Sequence, residues 1–367
     1  MKTLGQVLGT KNLVSVIQGL GRLDPTSKLL PSELLQATRT VTGNRCTYTK
    51  VDANRKTARL AMYGSPSARR NLKGISEIPV TLIHTVEHIV LPMTTLMNLK
   101  DYQNEQRQKM GMQEVARQTS DFKRYFDNLR AAAVCSALTR GAVYFDADGN
   151  LLSSSTNAVV TVDFGIPAGN KGQLNALGTG DIIDASWASA DTDIVAQIES
   201  LKQAAVQLSN YPIRYALHGK NILGYLQTNT VLKEYLTRTE EMALQAAKNE
   251  IPSGLLGLQW LPMQEAYSEL EDGGVFWWDD DMVVFMPEPS PDWYEFIEGT
   301  YPVPVSFELA NNATSAVDVA HSLREQAGMF SYAEMLTDPP SIKMVAGDTF
   351  LPVIKVPKAV FIADVTP

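Results

Sequence analysis

The amino-acid sequence predicts a mixed α+β fold, and three features carry this prediction. Residues 112–138 place apolar side chains at alternating steps of four and three, which is the pattern of one stripe along an amphipathic helix. Short apolar runs flank Asp148 and Gly149 directly after that helix, and this arrangement is typical of a β-hairpin. From residue 193 onward, helical and strand-like segments alternate. We therefore expect a long helix with a hairpin, followed by a compact mixed lobe.

The long helix is expected to be the structural spine. At a rise of ~1.5 Å per residue, residues 112–138 form a rod of roughly 40 Å, whereas an average helix has about 11 residues. Gly111 is expected to be the entry to this helix or a kink before it. We expect an apolar stripe to hold the helix onto a sheet, namely Val115, Phe122, Phe126 and Leu129. The opposite face is expected to be solvated or to face a partner, and it carries Gln113, Glu114, Arg117, Gln118, Asp121, Lys123, Arg124, Asp127, Asn128 and Arg130.

The composition indicates an ordinary globular protein. Of the 367 residues, 44% are hydrophobic and 20% are charged, and a chain of this length can form two domains or one domain with long excursions. Cys46 and Cys135 lie far apart without a CxxC partner, so neither a disulfide framework nor a zinc knuckle is indicated. The sequence shows neither the continuous apolar core of a signal peptide nor an apolar run of about 18 residues. Secretion and membrane insertion are therefore not indicated.

Charge is distributed unevenly along the chain, whose formal net charge is −8. Residues 41–74 contain eight basic residues and one acidic residue, a net charge of +7. Residues 191–300 contain 18 acidic and six basic residues, a net charge of −12. One interpretation is a solvated basic loop and an acidic surface. The other is that the basic segment of one copy lies on the acidic surface of a neighbouring copy.

The segments before the long helix are predicted to be an arm, a hairpin and a strand. Residues 1–40 are loosely helical and interrupted by prolines, which indicates an arm rather than a core element. Residues 44–77 contain period-two segments around turn-like residues, which predicts a long polar hairpin that needs a sheet or a neighbouring subunit to lie on. Residues 79–92 are rich in β-branched side chains between two prolines and are expected to form a strand.

The second lobe is predicted from capping and periodicity. Asp193 is expected to be the N-cap of a helix that ends before Pro212. Strands are expected at residues 214–217, 257–261, 275–278 and 282–286, with the last two joined across the aspartates at 279–281. The aromatic residues beside this turn are expected in the core of the lobe, namely Phe276, Trp277, Trp278 and Phe285. The tail from residue 342 is strand-like.

One motif resembles a zinc site, but a structural role is favoured for it. His84, Glu87 and His88 match the HxxEH pattern of a zinc peptidase, which requires a helix with both histidines on one face beside the glutamate. In the strand expected here, the histidines share one face and Glu87 points to the other. An ordinary strand is therefore the favoured interpretation.

Two acidic segments could in principle hold a cation. The segment from Asp146 begins like a calcium loop, but such a loop needs glycine at its sixth position and glutamate at its twelfth, and Leu151 and Asn157 occupy these positions. A hairpin turn at Asp148 and Gly149 is therefore expected. Three consecutive aspartates at 279–281 rarely converge on one point in a turn, so a solvated connection is favoured there. The sequence also contains no phosphate-binding loop, nucleophile motif or nucleic-acid recognition module. We expect no catalytic residue, no cofactor and no metal site.

Several segments together resemble one protein family. They are Thr139-Arg140-Gly141-Ala142-Val143 at the end of the helix, Asp146-Ala147-Asp148-Gly149-Asn150-Leu151-Leu152, Val162-Asp163-Phe164-Gly165-Ile166-Pro167, and the C-terminal run from Asp338 to Ala363. Their order and spacing resemble the major capsid protein E family of tailed bacteriophages, the lambda type. The resemblance implies the Hong Kong 97-like fold of tailed-phage major capsid proteins. The implied parts are an N-terminal arm at 1–43, an extended β-hairpin loop at 44–77, a peripheral domain at 78–190 with the spine helix, an axial domain at 191–304, and a C-terminal return to the peripheral sheet at 305–367.

The same resemblance implies a function. It implies a non-enzymatic major capsid protein that self-assembles into hexamers and pentamers and forms the icosahedral head shell around double-stranded DNA, without sequence-specific binding. Its expected partners are other copies of the chain, a separate scaffolding protein, a portal and a candidate decoration protein, and it is expected to assemble in the host cytoplasm, with no membrane. The extended loop of the family overlaps the adjacent subunit, so inter-subunit contacts are expected from Arg45, Lys50, Arg55, Lys56, Arg59, Arg69 and Arg70.

Two alternatives stay open. An encapsulin-like cellular nanocompartment would share the fold, although the segments Asp146-Ala147-Asp148-Gly149-Asn150 and Phe164-Gly165-Ile166-Pro167 favour the phage type. A zinc hydrolase would use His84, Glu87 and His88.

Overall fold

The computed structural model describes residues 8–51, 75–91, 93–100, 104–178, 180–237, 251–252, 254–304, 323–337 and 340–366. The helices are α1 (Thr10–Gly19), α2 (Pro25–Leu29), α3 (Met93–Lys100), α4 (Glu105–Arg140), α5 (Ile194–Ser209), α6 (Ile222–Thr228) and α7 (Thr230–Thr237). The strands of the first half are β1 (Arg39–Val41), β2 (Arg45–Val51), β3 (Ile75–Thr81), β4 (Ile83–Leu91), β5 (Ala142–Phe145), β6 (Leu151–Leu152), β7 (Val160–Asp163) and β8 (Lys171–Gly172). The strands of the second half are β9 (Ile213–His218), β10 (Gln259–Pro262), β11 (Tyr267–Leu270), β12 (Gly273–Phe276), β13 (Met282–Pro287), β14 (Tyr294–Pro304), β15 (Leu323–Ala327), β16 (Phe330–Thr337), β17 (Pro340–Ile354) and β18 (Phe361–Asp364).

The chain forms two compact units. The first unit comprises residues 1–46, 79–131 and 296–352, and the second comprises residues 47–78, 132–295 and 353–367. No helix in the described ranges is long and apolar enough to cross a membrane.

A six-stranded sheet forms the framework of the first unit. Its strand order is β1-β14-β17-β16, with β15 paired to β14 and β4 paired to β17. Strand β4 runs antiparallel to β17, with Ile83 opposite Phe350 and Leu91 opposite Ile342. Apolar side chains of α4 pack against this sheet because its stripe and the inward residues of β4 and β17 share one core. The predicted strand around His84 is thus confirmed.

The N-terminal residues belong to the core of the first unit, which differs from the expectation of an arm outside it. Leu8, Leu13 and Ile17 are fully buried and pack in the same core as α4. The Gln18 side-chain amide also donates hydrogen bonds to the carbonyl oxygens of Ala327 and Met329, at 3.3 and 3.0 Å. The apolar side of α1 needs a surface to cover it, and the sheet of the same chain supplies that surface.

Helix α4 is longer than the sequence predicts, because it begins at Glu105 rather than near residue 112. The Asn104 side-chain oxygen accepts hydrogen bonds from the backbone N–H groups of Gln106 and Arg107, so Asn104 satisfies donors at the helix start. Gly111 therefore lies inside the helix. A Cβ at Gly111 would lie 2.8 Å from Cγ of Leu99, so the glycine allows α3 to approach α4 closely.

A five-stranded sheet lies in the second unit, in the order β10-β9-β13-β18-β8. Helix α5 covers a core of buried residues of this unit that includes Trp187, Ile198 and Phe285. The predicted cap is confirmed, since the Asp193 carboxylate accepts a hydrogen bond from the Ala196 N–H at 3.0 Å. The predicted strand at 214–217 is confirmed as β9.

The pairing of the later strands and one domain boundary differ from the expected organisation. Strand β12 pairs with β11 and β13 pairs with β9 and β18, so the turn at 279–281 joins strands of different sheets. The expected C-terminal return is correct for β17, but β18 joins the five-stranded sheet of the second unit instead. Residues 296–304 of β14 lie in the first unit rather than in the lobe that begins at residue 191. Strand pairing depends on long-range contacts, and local patterns do not encode it.

Candidate functional site

The HxxEH segment lies on β4, and its geometry does not suit a zinc site. His84 and His88 occupy alternate positions of the strand, so Glu87 lies on the other face. The Nδ1 atom of His84 lies 2.8 Å from the Thr349 hydroxyl, and its ring stacks on Tyr301 at 4.9 Å. Burial lowers the pKa of His84, although nearby Asp348 opposes this. Within the described residues, no three His, Cys, Asp or Glu side chains are grouped so as to hold a metal ion.

The three consecutive aspartates do not converge. Asp279 and Asp280 are exposed. The Asp281 carboxylate accepts hydrogen bonds from Asn221 Nδ2 at 2.9 Å and from the Tyr225 hydroxyl at 2.7 Å. Burial works to raise the pKa of Asp281, but these hydrogen bonds outweigh it and lower the pKa. Asp281 therefore anchors the turn to α6.

The hairpin turn between β5 and β6 is organised by Asp146. Its carboxylate accepts hydrogen bonds from the backbone N–H groups of Asp148 at 2.9 Å and Asn150 at 2.8 Å. Gly149 has a φ of +87°, which glycine adopts readily. Hydrogen bonds from Asn150 lower the pKa of Asp146. Asp148 is exposed and Gly149 supplies the backbone freedom, so the predicted turn residues occupy the turn.

The apolar stripe of α4 lies where it packs against the sheet. Val115, Phe122 and Phe126 are buried in the core of the first unit, and Leu129 is half-buried. The rings of Phe122 and Phe126 stack at 6.2 Å.

The polar face of α4 divides into an exposed part and a buried part, which the helical pattern did not separate. Glu114, Arg117, Asp121 and Arg124 form a ladder of ion pairs along the surface. Hydrogen bonds from Arg117 and Gln118 lower the pKa of Glu114 to about 2. The expectation that Lys123, Asp127 and Arg130 are solvated or face a partner is wrong, since all three are buried.

Lys123 and Asp127 link the helix to the N-terminal segment. The Lys123 ammonium lies 2.6 Å from Asp127 Oδ1. The second carboxylate oxygen of Asp127 accepts a hydrogen bond from the backbone N–H of Leu23 at 2.9 Å. The pair is buried because residues from the N-terminal segment cover it.

Arg130 occupies a buried cluster that the sequence analysis missed. Its guanidinium donates two hydrogen bonds to Asp348, at 2.6 and 2.7 Å, and forms an ion pair with Glu298 at 2.8 Å. The rings of Phe296 and Phe350 lie 5.2 and 5.4 Å from the guanidinium carbon. Burial works to lower the pKa of Arg130, but the two carboxylates outweigh it and raise the pKa. The partners lie more than 160 residues away in sequence, so no local signal could have found them.

The predicted inter-subunit residues fall into three groups. Arg45 is exposed on β2. Lys50 is half-buried, and its ammonium occupies the space that a Cβ on Gly165 would fill. The remaining expected residues lie outside the described part of the chain, namely Arg55, Lys56, Arg59, Arg69 and Arg70.

The second half of strand β2 is anchored within the second unit. Tyr48 is buried and packs edge-on against Phe164, with ring centroids 6.5 Å apart. The backbone N–H of Val51 donates a hydrogen bond to the Lys355 carbonyl at 3.0 Å. Lys50, which is expected to contact a neighbouring subunit, therefore has neighbours in its own chain.

A polar cleft of about 440 Å³ lies beside the start of α5. Asp193 caps the helix, and Asp184 accepts a hydrogen bond from Gln197 at 2.9 Å. Gln197 also accepts a hydrogen bond from the buried Trp187 indole at 2.7 Å. The carboxylates of Asp184 and Asp193 thus accept hydrogen bonds that stabilise the start of α5.

One expectation about the aromatic residues of the second unit is wrong. Trp277, Trp278 and Phe285 are buried as expected, but Phe276 is 61% exposed. Phe276 and Tyr267 face each other across the β11–β12 hairpin with ring centroids 5.0 Å apart. Phe276 is the last residue of β12 and lies on its exposed face, whereas Trp277 and Trp278 follow the strand and are buried.

Comparison with known proteins is consistent with this architecture. A family model described as phage major capsid protein E matches residues 12–365. A crystal structure assigned as the capsid protein of a prophage of E. coli CFT073 is similar, with 13% identity, a TM-score of 0.55, and coverage of 98% of this chain and 99% of that one. This similarity confirms the predicted fold class, the Hong Kong 97-like capsid fold.

Two further structures are similar at lower TM-scores. A phage-related protein from Bordetella bronchiseptica RB50 has 13% identity and a TM-score of 0.47, with coverage of 98% of this chain and 97% of that one. The capsid of a native GTA particle has 12% identity and a TM-score of 0.47, with coverage of 95% and 93%. No curated protein sequence matches this chain.

Proposed function

The chain belongs to the phage major capsid protein E family and is a shell protein of a phage head, and from this premise we propose how its copies assemble. The copies form hexamers and pentamers that close into an icosahedral shell around double-stranded DNA. The family match over residues 12–365 carries this proposal, because it spans both compact units. Assembly takes place in the host cytoplasm, without a membrane.

The protein acts as a structural component without catalysis. The strand geometry of His84, Glu87 and His88 supports this role, because the glutamate and the histidines lie on opposite faces of β4. The buried charged groups Arg130 and Asp348 are paired with each other, as expected for groups that stabilise the fold.

The proposed parts of the subunit follow the implied organisation. Residues 1–43 form the N-terminal arm, 44–77 the extended loop, 78–190 the peripheral domain and 191–295 the axial domain. Strands β14 and β17 belong to the six-stranded sheet, and β18 joins the five-stranded sheet. The pairing of β2 with β3 supports an extended hairpin over the second range. The burial of Leu8, Leu13 and Ile17 in the core of the first unit supports an arm that is docked on its own sheet.

The extended loop supplies contacts between subunits. Its basic residues Arg45, Lys50, Arg55, Lys56, Arg59, Arg69 and Arg70 contribute charge to these contacts. A polar two-stranded hairpin gains stability when it lies on another surface. Many weak contacts between copies then add up through multivalency.

Further partners are proposed from the family resemblance. They are a separate scaffolding protein, a portal and a candidate decoration protein. The protein encloses DNA without reading its sequence, and the net charge of −8 supports this, because a DNA-reading surface is basic. The phage type is preferred to a cellular nanocompartment because the family match is to a phage capsid family.

Electron microscopy and sedimentation velocity of the purified chain test the proposed assembly. Shells, tubes or rings of capsomers are the expected particles. A uniform monomer that persists at raised concentration and with the cognate scaffolding protein would contradict the proposal.

Charge reversal tests the role of the extended loop. We expect Arg55→Glu, Lys56→Glu and Arg59→Glu together to leave the subunit folded but to impair assembly, most strongly at low salt, where electrostatic interactions are least screened. The measurement is the assembled fraction in sedimentation velocity at several salt concentrations.

A matched control carries three reversals at exposed positions outside the basic segment, namely Lys28→Glu, Arg214→Glu and Lys220→Glu. Both variants have the same net charge, so general repulsion between subunits is equal in the two. Normal shells from the loop variant would show that the loop charges are incidental.

A further inference from the structure

The β11–β12 hairpin of the second unit presents an exposed aromatic and acidic face. In its antiparallel register Tyr267 lies opposite Phe276, and Glu269 lies opposite Gly274. These four residues share one face of the hairpin because side chains alternate along each strand. Tyr267 is 41% exposed and Phe276 is 61% exposed. Large aromatic side chains exposed together on one face are typical of interaction sites.

The hairpin is held rigidly from behind. On its opposite face the Ser268 hydroxyl is buried and accepts a hydrogen bond from the indole N–H of Trp277 at 3.0 Å. The backbone N–H of Trp277 also donates to the Ala266 carbonyl at 3.0 Å and closes the base of the hairpin. At the turn, the backbone N–H and the hydroxyl of Ser153 donate to one oxygen of Asp272, at 2.9 and 2.8 Å. Both ends are therefore fixed.

Gly274 leaves room for the ring of Tyr267 on the exposed face of the hairpin. A Cβ at this position would collide with the ring and hydroxyl of Tyr267. The tyrosine ring therefore lies across the backbone of the neighbouring strand and is oriented before any partner arrives. Pre-organised aromatic groups lose little conformational entropy on binding and serve as anchors of interfaces.

The charged residues of the hairpin and of the adjoining sequence are all acidic. The exposed acidic residues on and beside the hairpin are Glu265, Glu269, Glu271 and Asp272. Residues 251–304 contain 11 acidic residues and no lysine, arginine or histidine. Within the part of the chain that the structure describes, Glu269 and Glu271 form no ion pair. Their charges are thus available to a basic partner.

We propose that the face formed by Tyr267, Glu269, Gly274 and Phe276 is the docking surface for the basic segment, residues 41–74, of a neighbouring copy. Charge complementarity selects this occupant, because residues 41–74 carry a net charge of +7 and the hairpin lies in a stretch without basic residues. Arginine and lysine side chains of the segment lie over the two aromatic rings and pair with the glutamates. This inference rests on the proposed assembly and names the surface that receives the extended loop.

Cross-linking within assembled particles tests the contact directly. Particles are formed from a mixture of unlabelled and ¹⁵N-labelled subunits and treated with a carbodiimide, which joins lysines to carboxylates in contact. We expect peptides that link Lys56 or Lys73 to Glu269 or Glu271, with one isotope label on each side. If inter-copy links form elsewhere but none involves the hairpin, or if the hairpin links only to another protein, the proposal is wrong.

A charge exchange provides the functional test. We expect Glu269→Lys with Glu271→Lys to raise the subunit concentration needed for assembly by about tenfold or more, since many copies of the contact are lost at once. Adding Lys56→Glu and Arg59→Glu to this variant should restore assembly in part. Glu288→Lys with Asp292→Lys is the matched control, because both residues are exposed in the same acidic stretch but belong to neither strand of the hairpin.

The outcomes separate this inference from the proposed function. If the wild-type chain forms no particles under any condition, the proposed assembly itself fails. If the wild type and the hairpin variant assemble equally well, the shell is retained and the hairpin is not the receiving surface. If the hairpin variant fails but the charge exchange gives no recovery, the occupant is not the basic segment.

Discussion

Replacement of Arg130 by methionine should destabilise the subunit strongly, although the substitution fills nearly the same space. The guanidinium is the only cation of its buried cluster within the described residues, and two carboxylates contact it, Asp348 at 2.6 Å and Glu298 at 2.8 Å. The Asp348 side chain is completely buried. After Arg130→Met, both carboxylates would face each other without a counter-ion.

The size of the effect follows from this geometry. Removal of one partner from a buried ion pair costs about 3–5 kcal/mol, because the remaining charge stays buried without compensation. The loss of the guanidinium above the rings of Phe296 and Phe350 adds roughly 0.5–2 kcal/mol, and apolar packing of the methionine offsets part of this. We therefore expect the free energy of unfolding to fall by about 3–5 kcal/mol.

Urea unfolding of the unassembled subunit, followed by circular dichroism and tryptophan fluorescence, measures this loss. Arg124→Met on the same helix is the control, because its side chain is 57% exposed and its ion pair with Asp121 contributes little. A variant that also neutralises both carboxylates, with Glu298→Gln and Asp348→Asn, should be more stable than Arg130→Met alone. Equal unfolding midpoints for Arg130→Met and Arg124→Met would refute the reasoning.

Two further predictions concern the packing of α4 and the pH dependence of stability. Gly111→Val should lower the free energy of unfolding by about 1–3 kcal/mol, because the new side chain would crowd Leu99. Ala116→Val, on the exposed side of α4, should have a much smaller effect. Urea unfolding compares the two variants, and equal losses of stability would contradict the close approach of α3 to α4. Burial lowers the pKa of His218, so the unfolded chain binds a proton that the folded chain does not as the pH falls below about 6.5. The free energy of unfolding should therefore decrease between pH 7 and 5, by at most ~1.4 kcal/mol per pH unit for this group. In the His218→Gln variant it should decrease less over the same range. An unchanged pH dependence in that variant would exclude His218 as the cause.

The elements that local signals determine were predictable from the sequence. The apolar stripe of Phe122 and Phe126, the cap at Asp193 and the strand around His84 depend on residues within a few positions of each other, and the structure contains all three elements. The helix α4 begins earlier than the sequence predicts, because Gly111 was expected to be its entry or a kink before it. The tertiary contact of Gly111 with Leu99 outweighs the low helix propensity of glycine.

The features that were missed depend on partners far along the chain. The sequence pattern places Lys123, Asp127 and Arg130 on a polar face, and only the N-terminal segment and the strands β14 and β17 convert part of that face into a buried surface. The same limit applies to strand order, since β13 and β18 pair across nearly 80 residues. Phe276 shows the opposite error, because a cluster of aromatic residues suggests a core, whereas Phe276 lies on the exposed face of β12.

The buried polar groups of α4 have a role that the apolar stripe alone does not fill. A stripe of similar apolar side chains could pack on a sheet in more than one register, because apolar contacts have no direction. The bidentate pair of Arg130 and Asp348 is satisfied in one register only, since both hydrogen bonds require a fixed distance and angle. We infer that this cluster fixes the position of α4 on its sheet, a role that buried ion pairs fill in some proteins at a cost in stability. For a shell protein this specificity matters, because weak contacts between copies add up only when each subunit presents them in the same geometry.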